Sequence, residues 1–206
     1  KKPEGASHAL FIAALFGVAD AHLQLKTPEA GDEFLEDFID RHPQDENLAQ
    51  LFAKLDELYR AERKPARVEL ERWTREPEQP RRAFAQWYLA RIELRAGHRD
   101  RALALLDDLR KSNGKTPAIA AGLFELAKLE AEEGQFQKAI SILAEARALR
   151  PEAALLNHIN HLAGESHYAA RQFEAATANF EQVARAGADF GTTSLFNASL
   201  GWLELG

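Results

Sequence analysis

Three side chains in the last quarter of the sequence have the spacing of ligands on one helical face. His158, His161 and Glu165 are separated by three and four positions, and His167 follows closely. On a helix this spacing brings side chains to one side, so they could bind a metal ion or act as an acid–base pair. A closed zinc site needs a fourth ligand, and no further histidine lies near in sequence. The favoured interpretation is a groove-lining or partly exposed set, in which His161 and Glu165 form an i,i+4 pair.

No other pattern in the sequence indicates an enzyme. There is no phosphate-cradling glycine loop, no nucleophile elbow and no helical His-Glu-x-x-His motif. Carboxylates are abundant, but runs such as residues 130–133 are typical of solvated helix ends. We therefore expect a protein without catalytic residues and without a cofactor. A metal-dependent site at His158, His161 and Glu165 is the minor alternative.

Composition excludes several further classes of function. The chain has 206 residues, of which 46% are hydrophobic and 28% charged, as is ordinary for a folded globular protein. Its formal net charge of −6 argues against nucleic-acid binding, which needs a basic face. The absence of cysteine removes disulfides, zinc–thiolate sites and thiol catalysis. The alanine- and arginine-rich composition is typical of bacterial proteins, and it leaves the compartment open between cytoplasm and periplasm.

The beginning of the sequence allows two interpretations. Lys1 and Lys2 precede an apolar run over residues 9–19, as in a secretory signal peptide. The residues that follow continue a helical apolar stripe, which favours a helix of the folded protein. We expect the second, and we expect no membrane span because no stretch reaches about 18 apolar residues. Methionine is absent, including at position 1, which suggests a chain processed or excised from a longer one.

Small residues recur at a fixed interval along most of the chain. The first series, at intervals of 37 positions, consists of Ala53, Ala90, Ala127, Gly164 and Gly201. A second series with the same interval consists of Ala102, Ala139 and Ala176. Self-similarity at a period of about 20–50 residues predicts a stack of identical structural units. Such a stack offers an extended binding surface instead of one deep pocket.

The units are predicted to be helical hairpins. Apolar residues follow helical spacing, and no segment alternates with the period of a strand. Thr27 and Pro28 mark the start of a helix, and Gly97 and Gly134 lie in equivalent turns, where glycine readily takes positive φ. The predicted organisation is one array over residues 1–206, with units at about 9–43, 46–77, 80–113, 117–151 and 153–188 and a final helix at 194–205.

This pattern resembles the tetratricopeptide repeat (TPR), a helical hairpin of about 34 residues with large and small residues at set positions. The strongest match is in the fourth unit: Leu123, Leu126, Ala127, Gly134, Phe136, Ala139, Leu143, Ala146 and Pro151. Small residues at facing positions let paired helices approach closely. In the second unit Pro65 replaces a small residue, so its second helix is expected to begin late. The resemblance implies an all-α fold, a right-handed superhelical α-solenoid of antiparallel helical hairpins.

The resemblance also implies a function. In TPR arrays the first helices of successive units line a concave groove in which peptides bind. We therefore expect a non-enzymatic protein–protein interaction scaffold that binds a peptide or protein segment. The implied groove residues are Phe16, Asp20, Gln50, Lys54, Trp87, Tyr88, Arg91, Phe124, Lys128, His158, His161, Glu165 and Trp202. Aromatic residues and arginine dominate binding hot spots, although Trp87 and Phe124 could instead fill space between helices.

One subclass of TPR protein is not expected here. Arrays that clamp the terminal carboxylate of chaperones carry lysine, asparagine and arginine at set groove positions. The comparable positions of the first three units are Phe16, Asp20, Gln50, Leu51, Phe84 and Tyr88. The clamp is missing, and the mixed charges among the groove residues do not predict the sign of a partner's charge.

The alternative function is a structural or self-association segment of a larger multi-repeat protein. The final helix has no predicted partner helix, yet it carries Leu195, Leu200, Trp202 and Leu203. An apolar face of this kind needs a covering surface, which a second copy could supply.

Overall fold

The computed structural model describes residues 5–62, 67–112, 116–187 and 190–206, with only the backbone of residues 5–7. These residues form eleven α-helices and no strand, which confirms the all-α fold class. The first six helices are α1 (Gly5–Leu25), α2 (Pro28–Arg41), α3 (Leu48–Ala61), α4 (Val68–Trp73), α5 (Arg81–Arg95) and α6 (Arg99–Lys111). The others are α7 (Pro117–Glu132), α8 (Phe136–Ala148), α9 (Ala153–Ala169), α10 (Phe173–Ala186) and α11 (Gly191–Leu205).

The chain divides into two compact units. Unit 1 is Lys1–Leu105 and unit 2 is Leu106–Gly206, so that α6 contributes residues to both. In unit 1, α1 packs against α2, α2 against α3 and α4 against α5; in unit 2, α7 to α11 pack each against the next. The helices lie where the apolar spacing predicts them.

Prolines and glycines set the ends of several helices. Pro28 and Pro117 occupy the first turn of α2 and α7, where the missing N–H leaves no hydrogen bond unmade. The hydroxyl of Thr27 does not cap α2; it forms a 2.9 Å hydrogen bond with Nδ1 of His22. Gly97 and Gly134 have φ of 79° and 75°, which confirms the positive φ predicted for these turns.

In unit 1 the first helices of consecutive hairpins lie side by side. Helix α3 contacts both α1 and α5, and the second helices α2 and α4 pack against this layer. The core centres on Phe52, whose ring stacks on Phe84 at 5.4 Å and meets the edge of Trp73 at 5.8 Å. All three side chains are buried. These contacts fix α3 and α5 relative to each other.

A buried carboxylate joins separate segments of unit 1. Glu93 on α5 is fully buried, with an exposed fraction of 0%. It accepts a 2.9 Å hydrogen bond from Arg67, the residue before α4, and one of its oxygens lies 2.7 Å from Nδ1 of His98. Arg101 on α6 adds an ion pair at 3.3 Å. Two arginines, Arg67 and Arg101, therefore offset the cost of burying one charge.

In unit 2 small residues allow close helix contacts. Helix α9 contacts α7, α8 and α10, and α11 packs on α10. Ala127, Ala139 and Ala176 are fully buried, and Gly164 of α9 lies against the ring of Phe180 on α10. The packing role predicted for these members of the two series is consistent with this burial.

Ala53 does not share that environment, and the expectation that it does is wrong. Its side chain is exposed, whereas Ala90 at the next interval is fully buried. The second helix of its hairpin, α4, has only six residues and begins at Val68. This agrees with the predicted late start, but Pro65 itself lies outside the described residues.

Helix α1 departs from expectation in another way. By length and composition alone, its window His8–Leu25 is long and apolar enough to cross a membrane, so the composition argument against such a segment is wrong. Only 11% of that window is buried, and Leu10 and Leu25 are exposed by 72% and 71%. A signal sequence would meet the same criterion. In the structure Ile12 and Ala19 of this helix are buried, and α1 packs against α2 and α3.

Candidate functional site

Trp87, Tyr88 and Arg91 form a compact group on α5. The rings of Trp87 and Tyr88 lie 4.7 Å apart, and the Arg91 guanidinium carbon lies 5.5 Å and 5.3 Å from their centroids. These are cation–π distances. Trp87 and Arg91 are half-buried, whereas Tyr88 is buried and stacks on Phe52 at 5.7 Å. The group offers one partly exposed aromatic ring beside a fixed positive charge.

Burial affects the ionisation of the tyrosine in this group. Burial raises the pKa of Tyr88 to about 12, while the charge of Arg91 opposes the increase. Tyr88 therefore remains a neutral phenol at physiological pH. Its neutral ring contacts the Arg91 guanidinium and adds no charge to the group.

On α1 and α3 the predicted groove residues form a charged set. Lys54 on α3 donates hydrogen bonds of 3.0 Å to Asp20 on α1 and 2.6 Å to Glu57. These bonds, that to Glu57 above all, raise the pKa of Lys54 above its ordinary value. Phe16 is half-buried and Gln50 is exposed. Within unit 1, Asp20 and Lys54 are thus brought together, as are Trp87, Tyr88 and Arg91.

In unit 2 the predicted residues on α7 and α9 surround an aromatic ring that the sequence reasoning missed. Phe190, just before α11, stacks on His161 with centroids 4.5 Å apart and lies 4.9 Å from His158. The ring of Phe124 on α7 lies 6.0 Å from that of His158. The two histidines therefore belong to an aromatic cluster, and Phe190 occupies part of the space between α9 and α11.

The nitrogens of His161 have protein partners. Nδ1 shares a 3.0 Å hydrogen bond with the hydroxyl of Ser194, and Nε2 lies 3.4 Å from a carboxylate oxygen of Glu165. Across the described ranges no group of three His, Cys, Asp or Glu side chains is placed to hold a metal ion. The structure thus joins His161 and Glu165 as an i,i+4 pair, and it directs His158 toward aromatic rings.

The remaining predicted residues lie apart from these groups. Lys128 on α7 is exposed. Trp202 on α11 is also exposed, and its indole N–H donates a 3.2 Å hydrogen bond to Glu181 on α10. A cleft of about 170 Å³ in unit 2 includes only Glu165 of the predicted set. Its lining is Glu165, Tyr168, Ala169, Phe180, Asn197 and Leu200.

Sequence reasoning also missed three charged residues around Arg91. Asp56 and Arg60 lie one turn apart on α3, and Arg95 lies one turn after Arg91 on α5. The carboxylate of Asp56 is buried and contacts all three arginines. The i,i+4 spacing within each helix was a signal in the sequence, but their convergence depends on how α3 and α5 pack.

Comparison with known proteins finds a family model that matches part of the chain. Residues 79–154 match the family model described as tetratricopeptide repeat. No curated protein matches the chain. Two crystal structures of TPR-like repeats, assigned to a kinesin light chain of Podosopora anserina, are 18% identical to it. Their TM-scores are 0.53 and 0.52. Each alignment covers 94% of this chain, and the alignments cover 85% and 86% of the two kinesin light chain structures. At this identity the likeness shows the fold.

Proposed function

Because residues 79–154 carry tetratricopeptide repeats and the chain has a TPR-like fold, we propose that this protein is a scaffold that binds a protein segment along its first helices. TPR-like folds are generally protein–protein interaction scaffolds and are typically non-enzymatic. In this chain the proposed partner contacts lie on α1, α3 and α5 within unit 1 and, separately, on α7, α9 and α11 within unit 2. This assigns the predicted groove residues as partner contacts.

The observation that carries the proposal is the arrangement of Trp87 and Arg91 on α5. Trp87 is half-buried, so one part of its ring is anchored while another stays open to a ligand. Arg91 is held over it by cation–π contact, which reduces the side-chain entropy that a partner would have to remove. Tryptophan and arginine are the residues most enriched among binding hot spots.

The test uses a partner selected for this protein. Peptides that bind the chain are isolated from a phage-displayed library, and their affinities are measured for the original protein and for Trp87→Ala. We expect Trp87→Ala to weaken binding by about 10-fold or more, as for a hot-spot residue. Phe34→Ala is the matched control, because Phe34 is an exposed aromatic residue on the second helix α2. Equal binding by the original protein and Trp87→Ala would refute the assignment.

A second candidate function is self-association through α11. On this helix Leu195, Phe196, Trp202 and Leu203 form an apolar face in which each side chain is exposed by 57% or more. A second copy could cover it. Sedimentation at several protein concentrations measures this directly, and a species that stays monomeric throughout would remove the second candidate.

A further inference from the structure

An excess of arginine surrounds one buried carboxylate on unit 1. We call Arg60, Arg91 and Arg95 the arginine cluster. Arg60 on α3 donates a 2.6 Å hydrogen bond to Asp56, and Arg95 on α5 donates bonds of 2.5 Å and 3.3 Å to it. Arg91 lies 3.9 Å from the same carboxylate, which is an ion pair but not a hydrogen bond. Three cations thus meet one anion.

The charges of this cluster are not balanced within the described part of the chain. There, Asp56 is the only carboxylate in an ion pair with any of the three arginines. Its side chain is exposed by only 4%, whereas those of Arg60, Arg91 and Arg95 are exposed by 51%, 29% and 38%. Each guanidinium has more N–H donors than Asp56 can satisfy. The outward side of the cluster is therefore positive and rich in unused donors.

The neighbouring part of the same surface has the opposite charge. Lys54 is already paired with both Asp20 and Glu57, so one cation there faces two anions. The positive charge is consequently confined to the area between α3 and α5. A binding surface with separated positive and negative areas selects both the charge and the orientation of a ligand.

An apolar contact lies directly beside the arginines. Arg91 is held over Trp87 and Tyr88, and Trp87 is the half-buried member of that pair. A ligand whose carboxylate pairs with Arg91 would therefore place a neighbouring apolar side chain against Trp87. Carboxylates suit this site because guanidinium groups bind them with two parallel hydrogen bonds.

From these contacts we infer that the arginine cluster binds acidic side chains of a protein segment that carries aspartate or glutamate together with apolar residues. This inference rests on the proposed function and adds the chemistry of the partner. Asp56 acts as the internal counter-ion that positions the cluster. Nucleic acid is a poor fit, because it needs an extended basic face and the protein has a net charge of −6.

The inference is tested with short fluorescein-labelled peptides and the full chain. One peptide alternates glutamate and leucine, and the matched peptide alternates lysine and leucine. We expect the glutamate peptide to bind, with an affinity that falls as sodium chloride is raised, and the lysine peptide not to bind. Double-stranded DNA and inorganic phosphate are added as competitors. If either competitor displaces the labelled glutamate peptide as effectively as the unlabelled glutamate peptide does, the assignment to acidic protein segments is overturned.

The decisive variant removes the excess charge and keeps the partner of Asp56. Arg60→Gln with Arg91→Gln leaves Arg95 to neutralise the buried carboxylate, and we expect it to weaken glutamate-peptide binding by about 10-fold or more. Arg41→Gln is the matched control, since Arg41 is an exposed arginine in an i,i+4 pair with Asp37 on α2. If the double variant is misfolded by circular dichroism, Arg91→Gln alone replaces it, because Arg91 makes no hydrogen bond to Asp56.

The outcomes separate this inference from the proposed function. Peptides selected from the library whose binding depends on Trp87 but not on Arg60 or Arg91 would overturn the acidic preference and leave the scaffold function intact. Selected peptides that bind independently of Trp87 would refute the proposed function itself. Equal loss of glutamate-peptide binding in Arg41→Gln and in the double variant would also overturn the inference.

Discussion

Gly164 on α9 and Phe180 on α10 are in direct contact, and the glycine is what makes the contact possible. A Cβ atom added to Gly164 would lie 2.6 Å from Cε1 and 2.7 Å from Cδ1 of the phenyl ring. Phe180 is exposed by only 1%, so the added atom would have to displace a buried ring. The repeated small residue therefore sets the distance between the two helices.

Gly164→Ala is expected to destabilise the protein. The added methyl group must displace a buried ring or separate α9 from α10, which should lower the free energy of unfolding by about 1–3 kcal/mol. Gly17→Ala is the control, because Gly17 is within α1 and a Cβ atom added there would have no neighbour within 4 Å. That variant should gain about 0.5–1 kcal/mol from the better helix propensity of alanine. Urea unfolding followed by circular dichroism measures both, and a loss in Gly17→Ala as large as in Gly164→Ala would contradict the packing argument.

The two members Ala53 and Ala90 of one small-residue series should respond differently to enlargement. Ala90 is fully buried, whereas Ala53 is exposed. Ala90→Leu is expected to cost about 1–3 kcal/mol through overpacking, and Ala53→Leu should stay within about 0.5 kcal/mol of the original protein. Thermal unfolding of the two variants is the measurement. Similar losses in both would mean that Ala53 is packed in solution.

Stability should decrease as the pH rises above about 5, because of Glu36. Burial raises the pKa of Glu36 to about 7, although a hydrogen bond from the hydroxyl of Tyr59 opposes the increase. The ordinary value is 4.5, so the folded state favours the protonated carboxyl. The resulting stabilisation is complete below about pH 4.5 and is lost as the pH rises through 7. Its size is on the order of 1–3 kcal/mol.

Glu36→Gln should flatten this pH dependence, because the amide has no proton to lose. The free energy of unfolding is measured from pH 5 to pH 8 in the original protein and in the variant. Some dependence will remain, since burial also raises the pKa of Glu62 to about 8. Glu46→Gln, at an exposed position in the same unit, should keep the original slope. An unchanged slope in Glu36→Gln would be inconsistent with a buried carboxyl.

Phe190→Ala should loosen the aromatic cluster on α9. The substitution removes the ring that stacks on His161 and lies near His158, and we expect a loss of about 1–3 kcal/mol in unfolding free energy. The imidazole proton signals of His161, which stacks on the face of this ring, should move downfield in NMR spectra as the ring current disappears. Phe196→Ala serves as control, because Phe196 is exposed by 62%. Unchanged histidine signals in Phe190→Ala would show that the stacking does not form in solution.

Local patterns in the sequence were enough to predict the hairpins. Helical apolar spacing and the proline at position 28 locate helices, and Gly97 and Gly134 locate turns whose positive φ the structure confirms. These features act over a few neighbouring residues and need no knowledge of tertiary contacts. The TPR resemblance is likewise confirmed, with the family match on residues 79–154.

The arrangement of the candidate site depends on tertiary contacts that the sequence pattern does not encode. Asp56 contacts Arg91 and Arg95 only because α3 packs beside α5. Asp56 is not separated from either arginine by the repeat interval, so the repeat pattern did not predict their contact. Phe190 belongs to a connection between helices, outside every helical stripe, so periodicity gave no signal for it. Ala53 is exposed whereas Ala90 is buried, and the repeat interval, which treats the two positions alike, gave no signal for this difference.

The burial of Glu93 has a consequence for local unfolding in unit 1. Its carboxylate is shared by the segment before α4, the turn after α5 and the first turn of α6. Releasing any one of these segments exposes a charge that the other two cannot fully compensate. Backbone amides in all three should therefore exchange with solvent deuterium as one cooperative group, so that the second and third hairpins behave as a single folding unit.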